Sequence, residues 1–194
     1  MVDKNFSKNK KGFTLIELLI VIAILAVLAT SVVIILNPAQ LVRQGRDSTR
    51  LSDLAALHSA LALYLSEVTL ENADLGGCAA LNARCTANGD TSPFLTRSTC
   101  TEASSTVVTG TGWVDVNFNQ ISSKSPLSKL PLDPVNTENY FYAYACEETN
   151  MTYEINANME STKYASGGDV DVESKDGGDA AGWYEIGNSP GFAL

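Results

Sequence analysis

Glu17 is the only ionisable residue between Phe13 and Leu36, in a stretch that is otherwise almost wholly apolar. A charge carried to depth in a bilayer is costly and by default implies a partner or a function. If the chain were cut between Gly12 and Phe13, Phe13 would present a free amine, positive at neutral pH. Glu17 follows four residues later, one helical turn away, so the two charges could pair within one chain or between neighbours. Pairing between neighbours would fix their axial register, because a displaced charge would remain unpaired in an apolar bundle.

Other residues offer different chemistry. Cys78, Cys85, Cys100 and Cys146 are even in number, which in an exported domain reads as two disulfides. Spacing does not choose among the three pairings. Cys78–Cys85 would close a short loop, and Cys100–Cys146 would then staple a long one. No CxxC pair is present and His58 is the sole histidine, which argues against a zinc site. Asp169, Asp171, Glu173, Asp176 and Asp179 lie among glycines. They read either as hard-cation ligands, calcium above all, or as a solvated acidic loop; the EF-hand pattern is absent. Nothing pairs a nucleophile with a base, and no loop is built to cradle phosphate. The chain is not expected to be an enzyme or to need another cofactor.

The elements that must position these residues follow from charge and periodicity. Residues 1–12 carry Lys4, Lys8, Lys10 and Lys11 against Asp3, a net of +3; with −9 overall, the rest carries −12. An acidic body of this kind gives no footprint for direct nucleic-acid binding. A helix from Phe13 to Leu36 would be roughly 36 Å long, enough for a hydrocarbon core of roughly 30 Å. The lysines before it place residues 1–12 in the cytoplasm and the body outside. A plain single-pass anchor for an extracellular binding protein or enzyme explains the length and the lysines. It leaves Glu17 unexplained.

Pro38 interrupts the apolar run. It either kinks the helix or starts a new one, capped by Asn37. Leu51, Leu54, Leu57, Leu61, Leu65 and Val68 recur at spacings of three and four, so helix is expected to about Ser66. Arg43, Arg46 and Arg50 could share one face, read as a solvated juxtamembrane surface with lipid headgroups or acidic neighbours as other contacts. Residues 69–112 read as a cysteine-containing connection. Strands are expected at 113–118, 140–146, 151–156 and 183–186, with aromatic side chains packing across them. The fold class is therefore α+β: a long N-terminal helix on a small antiparallel C-terminal sheet. The divisions are 1–12, 13–36, 37–68, 69–112 and 113–194.

The string from Lys10 to Val21, KKGFTLIELLIV, resembles the class III signal of type IV pilins and type II secretion pseudopilins. The segment Leu130-Pro131-Leu132-Asp133-Pro134 is similar to one that precedes the C-terminal strands in major pseudopilins. The resemblance implies that Lys10 and Lys11 present the site and that a prepilin peptidase cuts after Gly12 and methylates Phe13. It implies that Glu17 is the docking carboxylate. It also implies a homopolymer, with an assembly ATPase and an inner-membrane platform as further partners and membrane lipid around the helix before assembly. The subunit would start in the cytoplasmic membrane with its domain outside and end in a pilus or an envelope pseudopilus. A role as the major pseudopilin of a secretion or competence system is the alternative. Some major pseudopilins bind calcium in C-terminal loops, which brings Asp169, Asp171, Asp176 and Asp179 into view as ligands.

Overall fold

A computed structural model describes residues 12–69, 71–77, 82–87, 92–94, 96–97, 99–189 and 194. The chain divides into two compact units, Met1–Leu41 and Val42–Leu194. Helix α1 spans Leu15–Leu36 and helix α2 spans Pro38–Glu67. Strands β1 to β5 span Asn82–Cys85, Thr99–Glu102, Tyr142–Glu147, Thr152–Ala157 and Tyr184–Gly187.

α1 is apolar on every side and has no buried residue. Its only hydroxyls, Thr30 and Ser31, both donate to the Val27 carbonyl, at 2.8 and 3.0 Å. This removes two polar groups from the helix surface, as a helix in lipid requires. The helix is long and apolar enough to cross a membrane.

Asn37 ends α1 in the left-handed region, with φ 40°. Asparagine adopts that conformation more readily than most residues. Pro38 is then the first residue of α2, where its missing N–H costs nothing. The Asn37 carbonyl accepts from the Gln40 and Leu41 amides at 2.9 and 3.4 Å. Of the two readings of Pro38, the fresh helix start is the one observed.

Within the second unit, Leu54, Leu57, Ala60, Leu61 and Tyr64 form the buried stripe of α2. They share one core with Tyr142, Tyr144, Cys146, Tyr153, Ile155 and Ala157 of β3 and β4. The alternate residues Phe141, Ala143 and Ala145 belong to a second core with Ala83, Cys85, Phe94 and Leu194. The period-two pattern of β3 thus puts tyrosines towards α2 and small residues on the other face.

The sheet has five strands in the order β2-β1-β3-β4-β5. β1 pairs with β2 in parallel, and the remaining pairs are antiparallel. Two strands therefore come from the stretch expected to be connecting loop, and the antiparallel sheet gains a parallel edge. Residues 113–118 correct the expectation in the other direction. Trp113, Val114, Val116 and Phe118 are all buried, yet they form no strand. The segment is held from the side instead. The Arg84 guanidinium donates to the carbonyls of Gly112 and Trp113, and the Trp113 indole donates to the Pro131 carbonyl. Among the described residues the segment's strand-like pairing is an isolated bridge between Thr109 and Asn117, too little for a ladder.

Cys85 of β1 is bonded to Cys100 of β2. This excludes the pairing of Cys78 with Cys85 and of Cys100 with Cys146. Cys146 is itself disulfide-bonded, and Cys78 lies outside the described residues. The realised link is one between parallel neighbours: Ala83 is opposite Cys100 and Cys85 opposite Glu102. It joins strands that four residues of ladder alone would hold weakly.

Candidate functional site

Gly12 and Phe13 precede α1, and Phe13 is 87% exposed. The peptide bond between them lies outside the helical ladder and is open to another protein. Lys10 and Lys11 lie outside the described residues. Helix α1 begins where it does because Thr14 caps it. The Glu17 amide donates to Thr14 Oγ1 at 3.3 Å, and the Thr14 amide donates to Glu17 Oε2 at 2.8 Å. This reciprocal capping box satisfies two amides that a helix start leaves without partners. Thr14 Oγ1 also donates to Glu17 Oε2, at 2.7 Å. The lone carboxylate of the apolar segment is thereby held at the helix start, one turn from Phe13. The Thr-x-x-Glu spacing of Thr14 and Glu17 is itself the sequence signature of this cap.

The second polar constellation is internal. Arg50 has a fully buried side chain and reaches three carboxylates. Its Nε and Nη2 donate to Asp133 at 2.6 and 2.9 Å, and its Nη1 donates to Asp47 at 2.8 Å. Glu160 lies 2.7 Å from Nη1 and also binds Arg46. The amides of Glu160 and Ser161 close the cluster on Asp47, at 2.9 and 2.8 Å. Burial opposes the charge on Arg50, but the bonds to Asp133, Glu160 and Asp47 outweigh it and raise its pKa. Burial likewise pushes Glu160 up, while Arg46 and Arg50 pull it below its ordinary value. Arg46 and Arg50 are therefore not a solvated basic face; Arg43 is exposed.

A family model described as the prokaryotic N-terminal methylation motif matches residues 7–33. The chain carries the type IV pilin and pseudopilin signature. No curated protein and no solved structure matches it.

Asp133 of the Leu-Pro-x-Asp-Pro segment is more than a turn residue. One of its oxygens accepts from the amides of Val135 and Asn136 at 2.8 and 3.1 Å while the carboxylate holds the Arg50 fork. Asp133 thus ties the end of a loop to α2. His58 of α2 packs beside Tyr153 of β4. Its Nδ1 lies 3.1 Å from the Tyr153 hydroxyl, and burial lowers its pKa.

The four aspartates considered for calcium are spread out. Asp171 accepts from the Gly167 and Ser174 amides and the Ser174 hydroxyl. Its pKa falls to about 2, chiefly through the bonds from Ser174. Asp176 accepts from the Gly178 and Glu185 amides, and Asp169 and Asp179 are exposed. Among the described residues no three acidic, cysteine or histidine side chains are grouped to hold a metal ion. The loop's other carboxylates turn inward. Glu173 accepts from the Met159 and Ser166 amides, and Glu185 accepts from the Ala180 amide. Glu185 of β5 and Glu154 of β4 are buried side by side and share a hydrogen bond. Burial first, and Glu185 in addition, pushes Glu154 up to about 8.

Proposed function

We propose that the chain is a structural subunit that polymerises through α1 after leader cleavage after Gly12 and N-methylation of Phe13. The filament is a type IV pilus or a related pseudopilus. The observation that carries this reading is the exposed helix of 22 residues with Glu17 at its start. Such a surface needs lipid before assembly and copies of itself afterwards. The methylation motif over residues 7–33 supports processing by a prepilin peptidase. Assembly ATPase and inner-membrane platform are the further partners this reading requires. The proteins that carry the motif are structural rather than enzymatic. In the mature chain the Phe13 amine, still basic after methylation, is the natural counter-charge for Glu17 of the same or a neighbouring subunit. The capping box then has a second use: it keeps the carboxylate at the level of that amine.

Glu17→Ala should leave cleavage and membrane insertion intact and cut assembly at least tenfold. The measurement is sheared filament yield at matched levels of membrane-bound subunit. Normal yield would sink the docking role. Intact mass and N-terminal sequencing of the mature protein give a second test, with methylated Phe13 as the expected first residue. Retention of Met1 would reduce α1 to a simple anchor.

A further inference from the structure

The hairpin joining β3 to β4 carries Glu148-Thr149-Asn150-Met151-Thr152 at its tip. Asn150-Met151-Thr152 is an Asn-x-Thr triplet without proline at the middle position, the acceptor for N-linked glycosylation. Glu148, two residues before the asparagine, supplies the acidic residue found in the bacterial form of this acceptor. The turn presents the triplet well. Glu148, Thr149 and Asn150 are all exposed. The backbone is fixed beneath them, because Glu147 accepts from the amides of Thr149 and Asn150, each at 2.8 Å. Asn188 donates to the Met151 carbonyl at 3.0 Å, and Met151 packs against the core. Among the described residues, the Asn150 side chain touches only the Glu147 carboxylate of its own turn, at the exposed surface. A rigid turn with an exposed asparagine allows a bulky group to be added without disturbing the sheet below.

We propose that Asn150 is an N-glycosylation site. The proposal rests on the reading above in one respect, that the domain faces outside. The donor class is a polyprenyl-diphosphate-linked oligosaccharide, and the partner is a membrane-bound oligosaccharyl transferase. The Asn150 amide nitrogen forms a bond to the anomeric carbon of the sugar, whose bond to the diphosphate oxygen breaks. The amide gives up one proton, and polyprenyl diphosphate leaves. Asn5-Phe6-Ser7 is the other such triplet in the chain. It lies in the leader removed at Gly12, so Asn150 carries the one such triplet left in the mature chain.

The test is mass spectrometry of the full mature protein from the envelope of its own cells. The tryptic peptide from Leu130 to Lys163 should carry a glycan mass localised to Asn150. Occupancy should fall at least tenfold in Asn150→Gln and in Thr152→Ala, and should persist in Thr152→Ser, which keeps the hydroxyl. An unmodified peptide in the wild type, or a glycan that survives Asn150→Gln, overturns the proposal. The same spectra read the N-terminus. Methylated Phe13 beside bare Asn150 would defeat the glycosylation site alone, whereas a retained leader would defeat the filament reading.

Discussion

α1 and α2 adjoin at Asn37, yet their charged residues meet opposite conditions. Glu17 sits on a helix with no buried residue, bonded only to the cap beside it. Arg50 sits on a helix whose inner face is buried, with partners drawn from three parts of the chain. A buried ion whose lone pairs and protons are all used is complete and has no call on another molecule. A lone charge at the start of an apolar surface is incomplete, and its partner must come from elsewhere. The contrast separates a residue that holds one subunit together from a residue that waits for the next.

The sharpest way to break this comparison is to remove both charges in turn. Arg50→Ala should cost about 3–5 kcal/mol, because it leaves Asp47 and Asp133 buried without their cation and Glu160 with Arg46 alone. Denaturation of the full chain in detergent would show it as a fall in Tm on the order of 10 °C. Glu17→Ala should leave that Tm unchanged. Equal losses in the two variants would erase the distinction.

The next effect concerns pH. Glu154 has a folded-state pKa of about 8, against about 4.3 unfolded. Between those values the folded chain holds a proton that the unfolded chain has released. Stability therefore falls as pH rises from about 5 to about 8, then levels off. The full difference corresponds to about 5 kcal/mol, read as Tm against pH, and Glu154→Gln should flatten the curve. A Tm that does not fall over that window would show that Glu154 is already ionised in the folded state. Arg50 keeps its charge throughout, so its cluster should add nothing to this slope.

The smallest effect is local to α1. Thr14→Ala removes the cap and should cost about 1 kcal/mol at the helix start. Amide exchange at Glu17, followed in micelles, should speed up about fivefold while exchange in α2 stays unchanged. If exchange at Glu17 is unaffected, the helix start is set by something other than Thr14.

The parts of this fold that were legible in the sequence are those that declare themselves locally. Phe13 to Leu36 is apolar without interruption by turn residues, and Tyr142 to Cys146 and Tyr153 to Ile155 alternate at period two. The parts that were not legible depend on distant partners. Asn82–Cys85 and Thr99–Glu102 are short and polar and become strands through each other and the Cys85–Cys100 bond. Trp113 to Phe118 alternates like a strand, but Arg84 and Pro131 hold it from the side. Arg50 looked like a surface residue because arginine is almost never fully buried unless paired. Its pairing runs through Asp133, which lies 83 residues away in sequence. At the N-terminus the site was legible through Gly12, Phe13 and Glu17, since an out-of-place charge is visible without any tertiary information. The role of Thr14 needed only its spacing from Glu17.

Asp133 has a consequence for how such chains diverge. Its carboxylate shapes a turn and grips a guanidinium at once. An asparagine there could still shape the turn but would halve the grip, and a glutamate would reach too far to do both. Positions 50 and 133 should therefore be inherited as a unit. Descendants that lose the arginine should have replaced the aspartate as well, and those that keep one should keep the other.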